Sequence, residues 1–350
     1  MNDLVFLSGM TVFIGLLLAW GCIHLPGERW QMLATIPLMK REDGLWQGVN
    51  LTYYGFFIAT SQLLAICLLL ILLGAIGLSL LGTLLATAIV LAICIPAARL
   101  VAILVEKKRH TFTIGGASFV GILIAPWSII LAERMANLFF PCRLPTLPAL
   151  AAMAIAYTLG EGLGRLGCIS FGCCYGKALR DCSPFLQRLF SKTAFSFHGT
   201  TKKAVYEGKL EGEPLIPIQA ITSIIYCLTA TIASFLFLRS HFMAALIFSI
   251  TVSQLWRILS ETWRADFRGF TKISVYQKMG GLAVLYIIVI AQCTPAPQLA
   301  APAVGQGLGL LWNPGLLIGL QLLWLFFFIF FGRSTITRST LSFQLIREVL

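Results

Sequence analysis

Charge is scarce in this chain. Lys, Arg, Asp and Glu make up 11% of 350 residues, against about 25% in a soluble domain. That shortage, with 58% hydrophobic residues and a mean hydropathy of +0.87, excludes an ordinary soluble fold. The N-terminus lacks a basic run before its first apolar stretch, and no Ala-x-Ala-like cleavage site follows. Both are needed in a secretory signal, so residues 4–22 are expected to stay as a helix. Internal repeats and low-complexity tracts are also absent. Histidine is rare, at four residues, and none lies near the cysteine cluster described below. The net charge of +12 does not point to nucleic acid, because most basic residues sit in short loops between apolar runs. There they set topology and meet anionic lipid.

What is abundant is long apolar sequence. A bilayer span needs roughly 20 residues. Candidates lie at 4–22, 51–72, 74–97, 113–131, 146–164, 216–238, 242–260, 280–295 and 309–331. The expected fold class is therefore an all-α polytopic membrane protein with about seven to nine transmembrane helices. Residues 24–47 read as an amphipathic interfacial loop. Residues 176–213, the longest polar region, read as a small extramembrane head, and 292–307 as an irregular Pro/Ala-rich loop. The tail 332–350, with three Arg and one Glu, is expected at a cytoplasmic surface. Basic residues flank both ends of several spans, so they fix no orientation.

Charged residues at membrane depth cost about 2.5–3.5 kcal/mol each, which makes them functional candidates. Arg99, Glu161, Arg165, Arg257, Glu261 and Arg264 lie within or at the ends of apolar runs. In "SQLWRILSETWRADFRG", Arg257, Glu261, Arg264 and Arg268 recur at spacings of 4, 3 and 4, one face of a helix. Glu261 would neutralise one of its arginine neighbours and leave that face net positive. Guanidinium groups beside a bilayer suit a lipid phosphate, because Arg binds phosphate bidentately and stays protonated when buried. An internal ion-pair ladder is the competing reading.

"GEGLGRLGCISFGCCYG" (160–176) packs six glycines and three cysteines around Glu161 and Arg165. Its glycines serve either close helix packing or an irregular turn whose amides face a ligand. Such turns are tolerated at membrane depth only against protein or a water-filled cavity, so Arg165 is expected to point into a polar cavity. Cys168, Cys173 and Cys174 stand at spacings of five and one. That is not a usual zinc pattern, so packing in a tight turn is the first reading; thiol exchange or metal binding is the alternative.

In chain order these stretches resemble the prolipoprotein diacylglyceryl transferase family, from about Asn50 to about Leu282. "LTYYGFF" resembles its Tyr-Gly motif through Tyr54 and Gly55. "AARLVAIL" is similar to its Gly-x-Arg motif through Arg99, and "IGGASFVGIL" to its His-Gly-Gly motif through Gly115 and Gly116. "GLGRLGCISFGCCYG" resembles its signature through Arg165 and Gly176. "IPIQAI" is similar to His-Pro-x-Gln through Pro217 and Gln219. "RILSETWRADFRG" resembles Arg-Phe-x-x-Glu-x-x-Arg through Arg257, Glu261 and Arg264, and "ISVYQKMGGL" its closing Ser-x-x-Gln segment through Ser274 and Gln277.

The resemblance implies a transferase of the bacterial cytoplasmic (inner) membrane. The diacylglyceryl group of a phosphatidylglycerol-like donor would pass to the lipobox cysteine of a preprolipoprotein, with glycerol phosphate leaving. It implies no metal and no organic cofactor. Carried onto this chain, it makes Arg165, Arg257, Glu261 and Tyr54 the catalytic set, and Arg264, Arg99, Gly115, Gly116, Gly176, Gln219 and Cys168 the substrate-binding set. The expected organisation is an extra N-terminal helix and loop at 1–49, the transferase-like core at 50–295, and an extra C-terminal helix and tail at 296–350. Departures from the family pattern fall on acid–base positions. Ile114 and Ile216 stand where the family has His, Cys168 where it has Asn, and Ser253 where it often has Tyr; His110 could replace the first His if its loop delivers it. A phospholipid-binding homologue that lacks turnover or uses another acceptor, and a membrane thiol-redox protein, are therefore carried as alternative functions.

Overall fold

The structure, a computed structural model, describes residues 2–107, 114–266 and 273–346. In chain order it contains α1 (Asp3–His24), β1 (Met32–Lys40), β2 (Trp46–Thr52), α2 (Tyr53–Ala75), α3 (Leu80–Val101) and α4 (Ile114–Ala136). Next come α5 (Thr146–Phe171), the short α6 (Pro184–Phe190) and α7 (Lys203–Tyr206), then α8 (Ile218–Leu238), α9 (Phe242–Ser260) and α10 (Val275–Cys293). The chain closes with α11 (Val304–Leu311), α12 (Pro314–Gly332) and β3 (Arg333–Leu341). Nine helices among the described residues are long and apolar enough to cross a membrane. The protein is a multi-pass membrane protein of helical class.

Local sequence explains where helices start. Asn2, Thr52, Ser79 and Asn313 each accept a hydrogen bond from a first-turn amide of the helix that follows. Such caps satisfy amides that have no partner inside the helix. Ser274 and Gln277 form a reciprocal capping box at the start of α10. The two apolar runs at 51–72 and 74–97 are separate spans, divided by a turn at 76–79 with Gly77 at φ 71°. The run at 309–331 is shared between α11 and α12. Irregular chain does follow α10, ending where α11 begins at Val304.

The helix α5 is the centre of the bundle. All but a few of its residues are buried, and it packs against α2, α8 and α9. Its glycines serve two faces. Gly160, Gly164 and Gly167 meet α2 at Ala65, Ser61 and Tyr54, while Gly162 meets α8 at Tyr226 and Cys227. A Cβ at Gly160, Gly162 or Gly167 would come within about 3 Å of these neighbours. Close packing is thus the role of these glycines, and the irregular-turn expectation is corrected: α5 stays helical to Phe171 and only then turns, through Gly172 at φ 71°. Helices in lipid gain little from hydrophobic association, so small residues that admit van der Waals contact take its place.

A small antiparallel sheet, ordered β1-β2-β3, lies outside the helical expectation. Residues 24–47 were expected as an interfacial loop; most of them form the β1–β2 hairpin. The C-terminal tail supplies the third strand. Asn50 is the knot. Its amide donates to Thr337 and its carbonyl accepts from Thr35 and Ser339, at 3.1, 2.8 and 2.6 Å. Neither outer strand alternates regularly between buried and exposed positions, so the period that marks a strand in sequence is missing.

The expected head is present as α6, α7 and three isolated β-bridges around buried Phe195, Phe197, Ala204 and Leu215. Lys202 anchors it. This fully buried ammonium donates to the carbonyls of Leu25 at 3.2 Å and Ser170 at 2.6 Å, at the ends of α1 and α5. Burial pushes its pKa down to about 8 from 10.5. The folded state therefore holds fewer protons than the unfolded chain between those values. Stability from this group is full above pH 10.5 and is lost as pH falls toward 8. Relative to a Lys202→Met variant, the wild-type protein should gain up to about 3 kcal/mol between pH 8 and 10.5, read as a widening difference in thermal midpoint.

Candidate functional site

Tyr157, Glu161 and Arg165 follow one another at i,i+4 on α5, and that face looks at α9. Glu161 receives Arg165 Nη2 at 2.5 Å and the Tyr157 hydroxyl at 2.5 Å. From α9, Arg257 Nη2 donates to both Glu161 oxygens at 2.6 and 2.5 Å and to Tyr157 at 2.9 Å. Gln254, one turn earlier, donates to the same hydroxyl at 3.2 Å. The carboxylate side chain is 2% exposed and each of its two guanidinium partners 10%. One carboxylate thus holds two arginines from two helices. Such a cluster survives burial only because each charge is paired and hydrogen-bonded.

Arg264 reaches the same place by a different route. Glu261–Trp263 is a single 3-10 turn after α9, and Arg264 is extended at φ −84°, ψ 148°. Arg264 bridges to Gly176, flanked by hydrogen bonds from Lys177 N to Trp263 O and from Ala265 N to Tyr175 O. Gly176 is required there, because a Cβ would collide with the Ile216 carbonyl. The Arg264 guanidinium forms a two-point pair with Asp266 at 2.7 and 2.6 Å and lies 3.8 Å from Glu261. The single helical face expected for Arg257, Glu261 and Arg264 is corrected: α9 stops at Ser260, and Glu261 serves Arg264 while Glu161 serves Arg257. Glu161, Glu261 and Asp266 offset the three arginines, so the expected net positive face is replaced by an ion-pair cluster. Arg268 and His110 lie outside the described residues.

A narrow cavity of about 20 Å³ is lined by Arg165, Arg257 and Arg264 together with Cys174, Gln219 and Tyr226. Arg165 Nε, Arg257 Nε and Gln219 Oε1 are buried there without a hydrogen-bond partner. Orphaned polar atoms of this kind are uncommon in folded proteins and cost about 1–3 kcal/mol each. Two of the three are cationic donors and the third is an amide oxygen that can only accept, so partners of both kinds are missing among the residues that line this cavity.

The other sequence-derived candidates divide. Gly115 packs on Arg257 and Tyr276, Gly116 is buried beside it in α4, and Gln219 donates to the Cys173 carbonyl at 2.9 Å. Tyr54 is half-buried, with its ring 5.7 Å from Phe171 and the three clustered cysteines and Arg165 as electrostatic neighbours. Cys168 sits in the last turn of α5, directly under Cys173 and Cys174. Arg99 is the exception: it is exposed near the end of α3, away from the cavity. Ser274 and Gln277 are structural, the latter also donating to Ile258 O at 3.0 Å. Tyr157, Gln254, Tyr226 and Asp266 were missed. The i,i+4 ladder of Tyr157, Glu161 and Arg165 was the readable signal; the contributions of Tyr226 and Asp266 are purely tertiary.

The sequence profile described as prolipoprotein diacylglyceryl transferase matches residues 45–293. The chain belongs to the prolipoprotein diacylglyceryl transferase family. No curated protein matched it. The family is a transferase family. The matched segment contains the whole cavity, including Arg165, Gln219, Arg257 and Arg264. It stops before α12 and β3, although β3 pairs with β2 and Gly55 of the family-like Tyr-Gly pair packs on Gly332.

Glu161→Gln should destabilise the protein more than any other single change in the cluster. It leaves two buried guanidinium groups without a countercharge, which costs about 3–5 kcal/mol. Glu261→Gln leaves Arg264 with Asp266, its closer two-point partner, and should cost less than Glu161→Gln. Thermal unfolding of the detergent-solubilised variants, followed by tryptophan emission, compares the two.

Proposed function

We propose that the protein transfers the diacylglyceryl group of a phosphatidylglycerol-like phospholipid to the lipobox cysteine of preprolipoproteins in the bacterial cytoplasmic membrane. The observation that carries this reading is the pair Arg165 and Arg257, held rigid by one carboxylate while each keeps a buried Nε unpartnered at the cavity wall. In the reaction the acceptor sulfur attacks the glyceryl carbon, the bond from that carbon to the phosphate oxygen breaks, and glycerol phosphate leaves with added negative charge. Fixed guanidinium donors stabilise that charge without reorganising at the moment of reaction. Glu161 supplies the fixing, Arg264 a third donor at the same wall, and Tyr54 a place beside the acceptor sulfur. Headgroup entry requires the cavity to widen, since its present volume admits about one water.

A second reading is a phospholipid-binding homologue without turnover. It is favoured by Ile216, fully buried against Gly176 at the position where the family resemblance calls for a titratable side chain.

Complementation decides between them. The wild-type chain should restore growth and lipoprotein lipidation to a bacterium depleted of its own diacylglyceryl transferase. Arg165→Ala and Arg257→Ala should lower lipidation at least ~100-fold, the loss typical of removing one donor to a developing anion. A well-expressed wild-type protein that binds phosphatidylglycerol vesicles but fails to rescue would establish the second reading.

A further inference from the structure

The three clustered cysteines take no part in the ion-pair cluster. Cys168 ends the last turn of α5. The chain then reverses twice in three residues, through Gly172 at φ 71° and Cys174 at φ 55°. A non-glycine residue in the left-handed region is strained and persists only where its surroundings impose it. Here they do: Cys173 N donates to Cys168 O at 3.1 Å, Gln219 clamps Cys173 O, and Ala204 N donates to Gly172 O at 3.0 Å. The result is that three sulfurs far from zinc spacing in sequence lie within 4.8 Å of one another. All three thiols are free, with no disulfide among them.

We propose that Cys168, Cys173 and Cys174 form a thiolate site for a soft divalent cation of the zinc class, its fourth position open to the arginine-lined cavity. Three sulfurs around zinc stand about 3.8 Å apart, given a metal–sulfur bond of about 2.3 Å; the observed separations need little adjustment to reach this. Arg165, Arg264 and Lys203 have these sulfurs among their electrostatic neighbours, each cation being paired as well with a carboxylate, Glu161, Asp266 and Glu207 respectively. Cys174 is the member that lines the cavity with Arg165, Arg257 and Arg264. Three protein ligands and an open fourth position is the pattern of reactive rather than structural zinc.

The fourth ligand would be the thiol to be alkylated, an assignment that rests on the transferase reading. A thiol that coordinates such an ion loses its proton outright. The proton passes to solvent, the metal-bound thiolate attacks the glyceryl carbon, and glycerol phosphate departs with the electron pair of the broken bond. The site would thereby supply the activation that Ile114 and Ile216 cannot.

Cobalt is the probe. Full-length protein in detergent, reduced with a phosphine and stripped with chelator, should bind one Co²⁺ per chain with an intense thiolate-to-cobalt charge-transfer band that Zn²⁺ displaces. Cys168→Ser, Cys173→Ser and Cys174→Ser should each weaken binding at least 100-fold. Cys182→Ser, outside the cluster, should leave it unchanged, and Arg165→Ala should still bind cobalt. A lipobox peptide should shift the cobalt ligand-field bands, and its Cys→Ser analogue should not. Absence of the charge-transfer band in folded, reduced wild-type protein, or its survival in the cysteine variants, overturns the site. Cobalt binding without a peptide shift overturns the thiol as fourth ligand. Cobalt binding with failed complementation removes the transferase reading and keeps the metal site; rescue without cobalt binding does the reverse.

Discussion

A single buried carboxylate organises this protein. Glu161 sits at the middle of the most buried helix and holds Arg165 from its own helix and Arg257 from α9. Without it, two guanidinium groups at membrane depth would have no countercharge. With it, their positions are fixed to within a hydrogen bond, and each retains one donor that the fold does not use. The same pairs that secure the bundle thus leave unused donors at the wall of a cavity.

That arrangement depends on how closely α5 approaches its neighbours. Glycine on one face admits α2, and Gly162 on the other admits α8. Hydrogen bonds then lock the contact: Ser223 to the Gly162 carbonyl at 2.6 Å, and Tyr226 to the Ser253 carbonyl at 2.7 Å. Larger side chains would push α8 and α9 outward and separate Arg257 from Glu161. Packing and electrostatics are therefore one constraint here, since an ion pair in low dielectric is worth its desolvation only at contact distance.

Segments around the matched core are tied to it by specific contacts. The third strand joins residues nearly 300 positions apart through Asn50, and Lys202 pins the head to the ends of two helices. Arg264 is likewise delivered to the cavity by a β-bridge to Gly176, not by continuation of a helix. Lys202 in this way satisfies two backbone carbonyls at helix ends.

Sequence alone determined the membrane class, the spans and the chain's family-like motifs, because hydropathy and short motifs are local properties. Arg165 and Arg257 were legible for the same reason: a charge in an apolar run stands out whatever surrounds it. The identity of their partner was not. Glu261 is the nearest acid in sequence to Arg257, yet the helix ends between them, and Glu161, 96 positions away, takes the contact. The cysteines show the same limit: spacings of five and one suggested a tight turn, but not that two left-handed residues would bring all three sulfurs together. The sheet was hidden because its outer strands lack regular alternation and its third strand reaches β2 from the far end of the chain. Pairing, convergence and enclosure are properties of distance in space, and only the tertiary structure decided them.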